Sequence, residues 1–298
     1  MKVLVLGGSG MLGHKLCQVL HDRFETYATL RRPLAPAVVG ALFEPGRVLG
    51  GVAAEDFDSV VRAVGATRPS VVVNCVGIVK QASAAKDPLP SIAINAHFPH
   101  RLAALCEATG TRLIHVSTDC VFSGDAGGYT EEDRPDPVDL YGRSKLLGEV
   151  DDPHALTLRT SIIGRELSGA YGLVEWFLGQ HGGTARGFTR AVFSGLTTLE
   201  LSGNIAHVIA DHPDLSGLWH VAADPINKFD LLSLVADAYG LDVRIDPADE
   251  PVIDRSLDGS RFRSETGLVA PDWPTMLERM ATDSAPYDEL RRATGVHG

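Results

Sequence analysis

The sequence predicts an α/β protein, a doubly wound parallel sheet with a smaller C-terminal lid. Three observations lead there. Short apolar runs alternate with segments of helical period through residues 1–166. The runs are continuous, not alternating, which suits strands buried on both faces. After Ile163-Gly164 the rhythm stops, and Gly182-Gly183, Gly187, Gly195 and Gly203 mark loops.

The elements follow in order. Val3–Leu6 reads as a buried strand, and Met11–Leu20 repeats apolar residues at helical spacing. Thr26–Leu30 is a second strand, Glu55–Val64 a helix and Val71–Cys75 a buried strand. Ile92–Ala108 is a long helical pattern that Pro99 must kink or divide, because proline lacks an N–H and clashes with the preceding turn. Leu113–Val116 is a strand, Leu140–Val150 a helix and Leu156–Arg159 a strand. Further on, Phe229–Tyr239 is a helix with Asn227 as its cap. Asp246–Asp258, rich in Asp and Pro, reads as an exposed loop, and Met276–Met280 and Asp288–Arg292 as short terminal helices. The expected division is residues 1–166 for the sheet domain, with a segment near 190–222 returning to it, and 167–298 mainly for a substrate-binding lid.

The chain has 298 residues, enough for a large core in one or two domains. Hydrophobic content of 44% and charged content of 22% are those of an ordinary soluble protein. The net charge of −11 argues against nucleic-acid partners. An anionic ligand must then be held by local dipoles and a few placed arginines. No apolar stretch approaches the ~20 residues of a membrane span. Val3-Leu4-Val5-Leu6 is too short for a signal-peptide core. Cys17, Cys75, Cys106 and Cys120 lack Cys-x-x-Cys spacing. They are expected as reduced, mostly buried thiols of a cytoplasmic protein.

Gly7-Gly8-Ser9-Gly10-Met11-Leu12-Gly13 follows the first strand and opens the first helix. Glycines at this spacing allow a tight turn, close approach to a pyrophosphate and close helix–strand packing. The helix start adds free N–H groups and partial positive charge. This makes the sheet Rossmann-like. Gly7, Ser9, Gly10, Met11, Leu12 and Gly13 are the candidate dinucleotide contacts. At the end of the second strand the chain reads Thr29-Leu30-Arg31-Arg32, with no carboxylate for ribose hydroxyls. Arg31 and Arg32 can take a 2′-phosphate, so NADPH is expected ahead of NADH. Otherwise they are two solvated surface charges.

Tyr141 and Lys145 stand at i and i+4, on one face of a helix. A phenol has a pKa near ~10, and a nearby ammonium favours the phenolate. Lys145 can also reach the nicotinamide ribose. Ser117-Thr118-Asp119 ends an apolar strand, where ligands of open parallel sheets gather. Either hydroxyl could hold a substrate carbonyl beside the tyrosine, and Thr118 is preferred. Asn74 and Gly77 fit a wall beside the cofactor. Together these residues point to hydride transfer.

They resemble the extended short-chain dehydrogenase/reductase family, and within it the dTDP-4-dehydrorhamnose reductases. The likeness rests on Gly7–Gly13 with Met-Leu before the last glycine, Ser117-Thr118-Asp119-Cys120-Val121-Phe122-Ser123-Gly124, Tyr141–Lys145, Leu158-Arg159-Thr160-Ser161 and the later Arg255-Ser256-Leu257-Asp258. It implies reduction of a nucleotide-linked 4-keto-6-deoxy sugar with NAD(P)H. Thr118, Tyr141 and Lys145 are then the catalytic set. Thr118, Asp119, Val121 and Arg255 are substrate contacts, with Arg255 on the diphosphate. Val76–Gln81 and Phe193–Thr198 depart from the reductase pattern, which bears on the sugar more than on the chemistry. The related 4,6-dehydratases carry Thr-Asp-Glu where this chain has Thr118-Asp119-Cys120, so dehydration is not expected. Two alternatives stay open. One is an epimerase using the same core. The other is a non-catalytic NADP-binding subunit, like the regulatory beta subunit of methionine adenosyltransferase. A homodimer is compatible with all of them.

Several other residues have plainer readings. His97 and His100 lack a third metal ligand, so no metal is expected. His115 reads as a core histidine with hydrogen-bonded nitrogens. Lys80 is either a substrate contact or a loop charge. Glu131-Glu132-Asp133 reads as a solvated loop. Trp176 and Phe177 pack under the lid or stack on a base.

Overall fold

Residues of β1 (Lys2–Leu6) face two different cores. Val3 and Val5 pack with Leu16, Val73 and Ile114 on one side; Leu4 and Leu6 pack with Val60, Val72 and Leu102 on the other. Side chains alternate along a strand, so a sheet covered on both faces needs an unbroken apolar run. Truncating one such leucine to alanine costs about 2–5 kcal/mol. The computed structural model, which describes residues 1–81 and 86–293, has this layered arrangement.

The chain continues through α1 (Met11–His21), β2 (Glu25–Leu30), α2 (Pro36–Leu42), β3 (Val48–Gly50), α3 (Phe57–Thr67) and β4 (Val71–Asn74). Next come α4 (Pro88–Ser91), a π-helical turn (Ile92–His97), α5 (Phe98–Ala108), β5 (Arg112–Val116), α6 (Leu140–Leu147) and β6 (Ala155–Arg159). Pro99 sits in the first turn of α5, where a missing N–H is harmless, and the irregularity falls just before it as the π turn. The strands pair in parallel in the order β3-β2-β1-β4-β5-β6. Sheet growth reverses direction between β1 and β4, and ligands of open α/β sheets bind in the crevice beyond such strand ends. The two loops meet there. A Cβ on Gly7 would lie 3.2 Å from both the Cys75 carbonyl and Val76.

The second half adds β7 (Ile162–Ile163), α7 (Leu173–Leu178), β8 (Thr184–Phe188), β9 (Ala191–Phe193), β10 (Leu196–Thr197), α8 (Thr198–Asp211) and β11 (Gly217–His220). β11 joins the main sheet beside β6, and α8 packs on α1. There follow β12 (Ile226–Asn227), α9 (Lys228–Tyr239), β13 (Arg244–Ala248), β14 (Ile253–Asp254), α10 (Ser260–Thr266), α11 (Trp273–Ala281) and α12 (Tyr287–Ala293). Asn227 caps α9, its Oδ1 accepting from the Asp230 N–H at 2.9 Å.

Four expectations need correction. Asp246–Asp258 is not a free loop: it overlaps β13, which pairs with β8, and contains β14, which pairs with β9. Pro247 is tolerated because β13 belongs to a two-stranded sheet and is therefore an edge strand. Gly187 lies inside β8, where a Cβ would press on Phe229 and Ile245 at 2.7 Å, so the glycine lets α9 lie on the strand. Gly203 is an exposed residue inside α8, a position that costs about 1 kcal/mol relative to alanine. The helix expected to reach Val150 stops at Leu147 with Gly148 as its C-cap, where the missing side chain lets the helix end lie against the Asn95 carbonyl. Among the described residues no helix is long and apolar enough to cross a membrane, the four cysteines are free thiols and no three metal-ligating side chains cluster.

Candidate active site

The glycine turn is held by backbone contacts. Gly7, at φ +83°, donates to Thr29 Oγ1 at 3.1 Å, and Gly8 donates to the Thr29 carbonyl at 2.9 Å. Gly10 donates to the Gly7 carbonyl at 3.0 Å. Any Cβ at Gly13 would overlap that carbonyl, so glycine alone lets α1 start so close to the turn. The N–H groups of Met11 and Leu12 open the helix without intrahelical partners. This cradle fits a dinucleotide pyrophosphate. Leu12 turns its side chain into the core, so it can serve only through its backbone. Met11 faces Gly172, and Ser9 is exposed. Thr29 anchors the turn and so sets Arg31 and Arg32, two and three residues on, at its rim. Both are exposed, and Arg31 pairs with Glu55 at 3.3 Å. Exposed pairs of this kind are weak, about 0–1 kcal/mol, so the guanidinium can be recruited by an anion.

The segment after β4 is fixed from below. Asn74 is 1% exposed; its Nδ2 donates to His115 Nδ1 at 3.0 Å and its Oδ1 accepts from the Val76 N–H at 3.1 Å. Its side chain therefore shapes the wall from beneath and does not line it. His115 is only half satisfied, since buried Nε2 has no hydrogen-bond partner. Gly77 is exposed beside Asn95. Asn95, in the π turn, accepts from the Ile78 N–H at 2.8 Å and donates to the Ile78 carbonyl at 3.1 Å and to Ser144 at 3.2 Å. That ties the wall to α6.

Two elements carry Thr118, Tyr141 and Lys145: the turn after β5 and α6. Thr118 follows β5; its hydroxyl accepts from the Cys120 N–H and donates to Asp119, both at 3.1 Å. Asp139 caps α6 by accepting from the Gly142 N–H at 2.8 Å. A side chain at Gly142 would overlap the Cys120 carbonyl, so α6 rests directly on the Thr118–Cys120 turn. That sets Tyr141 beside the Thr118 hydroxyl, close enough for the hydroxyl to act on the phenol. Lys145, 6% exposed, donates to the Val116 carbonyl at 2.7 Å. Desolvation pulls its ammonium down to about 8, against the opposing pull of Glu149. Desolvation pushes the Tyr141 phenol up, with Cys120 adding to the effect and Thr118 opposing it. The expected lowering of Tyr141 by Lys145 is not among the influences on the phenol: the ammonium is turned to the Val116 carbonyl, and burial dominates at the tyrosine. A phenol held protonated is the form a proton donor needs.

A buried ion pair lies beneath this set. Arg159 grips Glu149 through two bonds of 2.8 and 2.7 Å, and Ser117 donates to the same carboxylate at 2.7 Å. Arg159 also donates to His220 Nε2 at 3.3 Å, and His220 Nδ1 donates to the Tyr129 carbonyl at 2.9 Å. Removing one partner of a buried pair costs about 3–5 kcal/mol.

The lid faces the set with cations. Arg255 donates to the Phe122 carbonyl at 2.9 Å, and its charge is felt by both Asp119 and Asp139. Lys228, which opens α9, sits 3.4 Å from the centre of the Phe193 ring. Desolvation pulls it down to about 8, against Asp119 and Cys120. Asp119 is pushed up by burial, with Lys228 the main opposing charge. Lys80 pairs with Asp139 at 2.7 Å. The Val121 side chain is wholly buried with Phe122, Tyr129 and Leu257, so a substrate contact there can come only from its backbone. Phe177 is fully buried, as a packing role requires, whereas Trp176 is 39% exposed.

Residues 1–179 match the family described as RmlD substrate binding domain. The chain belongs to this family. One family relative, the probable low-salt glycan biosynthesis reductase Agl14 of Haloferax volcanii, is 32% identical over 238 residues, 75% of each chain. Methionine adenosyltransferase 2 subunit beta of Mus musculus is 25% identical over 93% of this chain and 89% of its own. Among solved structures, dTDP-4-dehydrorhamnose reductase of Bacillus anthracis in complex with NADP superposes with a TM-score of 0.79 at 22% identity, covering 94% of this chain and 98% of that one. The Rossmann-like fold read from the sequence is thus shared across the family.

Sequence reasoning missed Asn95, Glu149 and Lys228. Glu149 carried a signal, a carboxylate one helical turn beyond Lys145. Lys228 carried none, since only the folded lid brings it to Asp119. The buried Lys145 ammonium gives a direct test. Its side-chain carbon next to Nζ, followed by NMR, should titrate with a midpoint near about 8. A midpoint at the ordinary lysine value of ~10.4 would show that the ammonium is solvated.

Proposed function

We propose that this chain reduces the keto group of a nucleotide-linked 4-keto-6-deoxy sugar, using NADPH in preference to NADH. The observation that carries the reading is the joining of Thr118, Tyr141 and Lys145 at the end of β5, beside a glycine turn that fits a dinucleotide. A nicotinamide bound there supplies the hydride. Tyr141, kept protonated by desolvation, donates its proton to the carbonyl oxygen, and Thr118 hydrogen-bonds the same oxygen. Lys145 fixes the nicotinamide ribose. Arg255 and Lys228 hold the anionic diphosphate from the lid, and Arg31 with Arg32 takes the 2′-phosphate. In this reading residues 1–166 bind the cofactor and 167–298 mainly the substrate. Free thiols suit a reducing compartment.

Cys120 supports reduction over dehydration. Burial and Asp119 push its thiol up to about 12, so it cannot serve as the base that water elimination needs. An epimerase or a non-catalytic subunit would consume no NADPH. The deciding assay incubates the protein with NADPH and a panel of nucleotide-linked 4-keto sugars. Stoichiometric NADPH oxidation and a reduced sugar are expected; an isomerised sugar with NADPH untouched, or no turnover, would reject the proposal.

Tyr141→Phe should lower turnover by about 10²–10⁴-fold, the usual worth of a general acid, with NADPH affinity within about twofold of wild type. A fully active variant would remove the tyrosine from the chemistry. Arg31→Asp should weaken NADPH by about tenfold or more and leave NADH unaffected, since only the former has the 2′-phosphate. Equal losses for both cofactors would reassign Arg31. Arg255→Ala and Lys228→Ala should each raise the KM for the sugar nucleotide by about tenfold with NADPH affinity constant, as loss of a charge-assisted contact requires. An unchanged KM in both would move the substrate away from this face of the lid.

A further inference from the structure

The glycine turn is reached by a residue from the far end of the chain. His14, on the second turn of α1, is wholly buried. Its Nδ1 lies 2.8 Å from the Gly10 carbonyl and its Nε2 lies 2.9 Å from the Tyr287 hydroxyl. A carbonyl only accepts, so Nδ1 carries the proton, and Nε2 accepts from the tyrosine. Tyr287 is the first residue of α12 and is 4% exposed. Neighbouring contacts fasten the same segment. Lys15 pairs with Asp283, both nearly buried. The Arg165 guanidinium lies 4.8 Å from the Tyr287 ring centre and bonds Asp288 at 3.1 Å. Arg291 donates to the Glu166 carbonyl at 2.9 Å.

The atom at the end of this relay matters. Gly10 is the cap of α1, and its carbonyl also accepts the His14 N–H at 3.2 Å. The peptide unit joining Gly10 to Met11 is planar, so fixing that carbonyl fixes the Met11 N–H on its opposite side. The Met11 N–H is one of the free donors offered to a phosphate at the helix start. Nothing in the proposed chemistry uses His14 or Tyr287, and burial keeps both from touching a ligand.

We propose that α12 sets the aim of the pyrophosphate-binding N–H groups through Tyr287 and His14, which act as positioning residues for the dinucleotide. Burial pulls His14 down to about 4, so the ring stays neutral and the relay keeps one direction at ordinary pH. The inference rests on reading the glycine turn as a dinucleotide site.

Two probes separate aim from mere folding. ADP-ribose has the pyrophosphate; adenosine 2′-monophosphate reaches the Arg31 rim without it. Both are titrated calorimetrically into the full chain and its variants. Tyr287→Phe should weaken ADP-ribose, NADPH and NADH by the same factor, roughly five- to tenfold, the scale of one buried hydrogen bond, with the monophosphate unchanged. His14→Asn keeps an amide N–H near the place of Nδ1 and should bind ADP-ribose more tightly than His14→Gln, whose amide sits near the place of Nε2. Unchanged ADP-ribose affinity in Tyr287→Phe, equal losses for both probes, or equal affinities in the two His14 variants would overturn the proposal. A wild-type chain that binds neither probe would take down the dinucleotide reading together with it.

Discussion

Helix backbone lies directly on carbonyls of the turns that follow β1 and β5, with no side chain between them. Gly142 places α6 on the Cys120 carbonyl, and Gly13 places α1 on the Gly7 carbonyl. The position of Tyr141 and the start of α1 depend on those two contacts. A methyl group at either point would drive the helix outward, and the phenol of Tyr141 or the first N–H groups of α1 would move with it. Positional errors of this size are costly where reacting groups must meet at about 3 Å. The glycines therefore act as spacers of zero thickness, and their chemistry is only the lack of a Cβ.

Burying so many charged groups is expensive, and each is provided for. Glu149 is held by Arg159 and Ser117, and Lys15 by Asp283. Lys145 has a carbonyl and the field of Glu149. Such arrangements add little net stability compared with apolar packing, but removing one partner is strongly penalised. They define a single arrangement of the groups around Thr118 and α6. The hydrophobic layers make the sheet, while these polar contacts decide where its functional side chains point.

Much of the first half was legible because burial on both faces leaves a plain mark. β1 and β4 carry unbroken apolar runs, Val3–Leu6 and Val71–Val73; a glycine-rich turn follows the first, and Asn74 ends the second strand. The catalytic set was legible because its members are close in sequence to strand ends and share one helix turn. The lid was not. β13 and β14 are short, parallel and paired with partners some 60 residues away, so neither leaves a period to read. Val121 sits inside a motif that was read as a unit, and only packing shows that its side chain turns away from the cleft. The Tyr141 shift was misjudged for a related reason. Spacing places an ammonium on the same helix face, but it cannot say which acceptor that ammonium will choose.

The distribution of charge across the cleft has one more consequence. Cations stand on the lid, at Lys228 and Arg255, and carboxylates stand on the sheet side, at Asp119 and Asp139. Arg255 acts on both carboxylates through its field and Lys228 on Asp119, while Asp139 keeps its ion pair with Lys80. Under the proposed function, a doubly charged diphosphate between them competes with those carboxylates for the same cations, inside a protein whose net charge of −11 repels it at long range. On that reading ligand uptake exchanges one anion for another, and a neutral sugar has nothing to offer Lys228 and Arg255 in place of the field of Asp119.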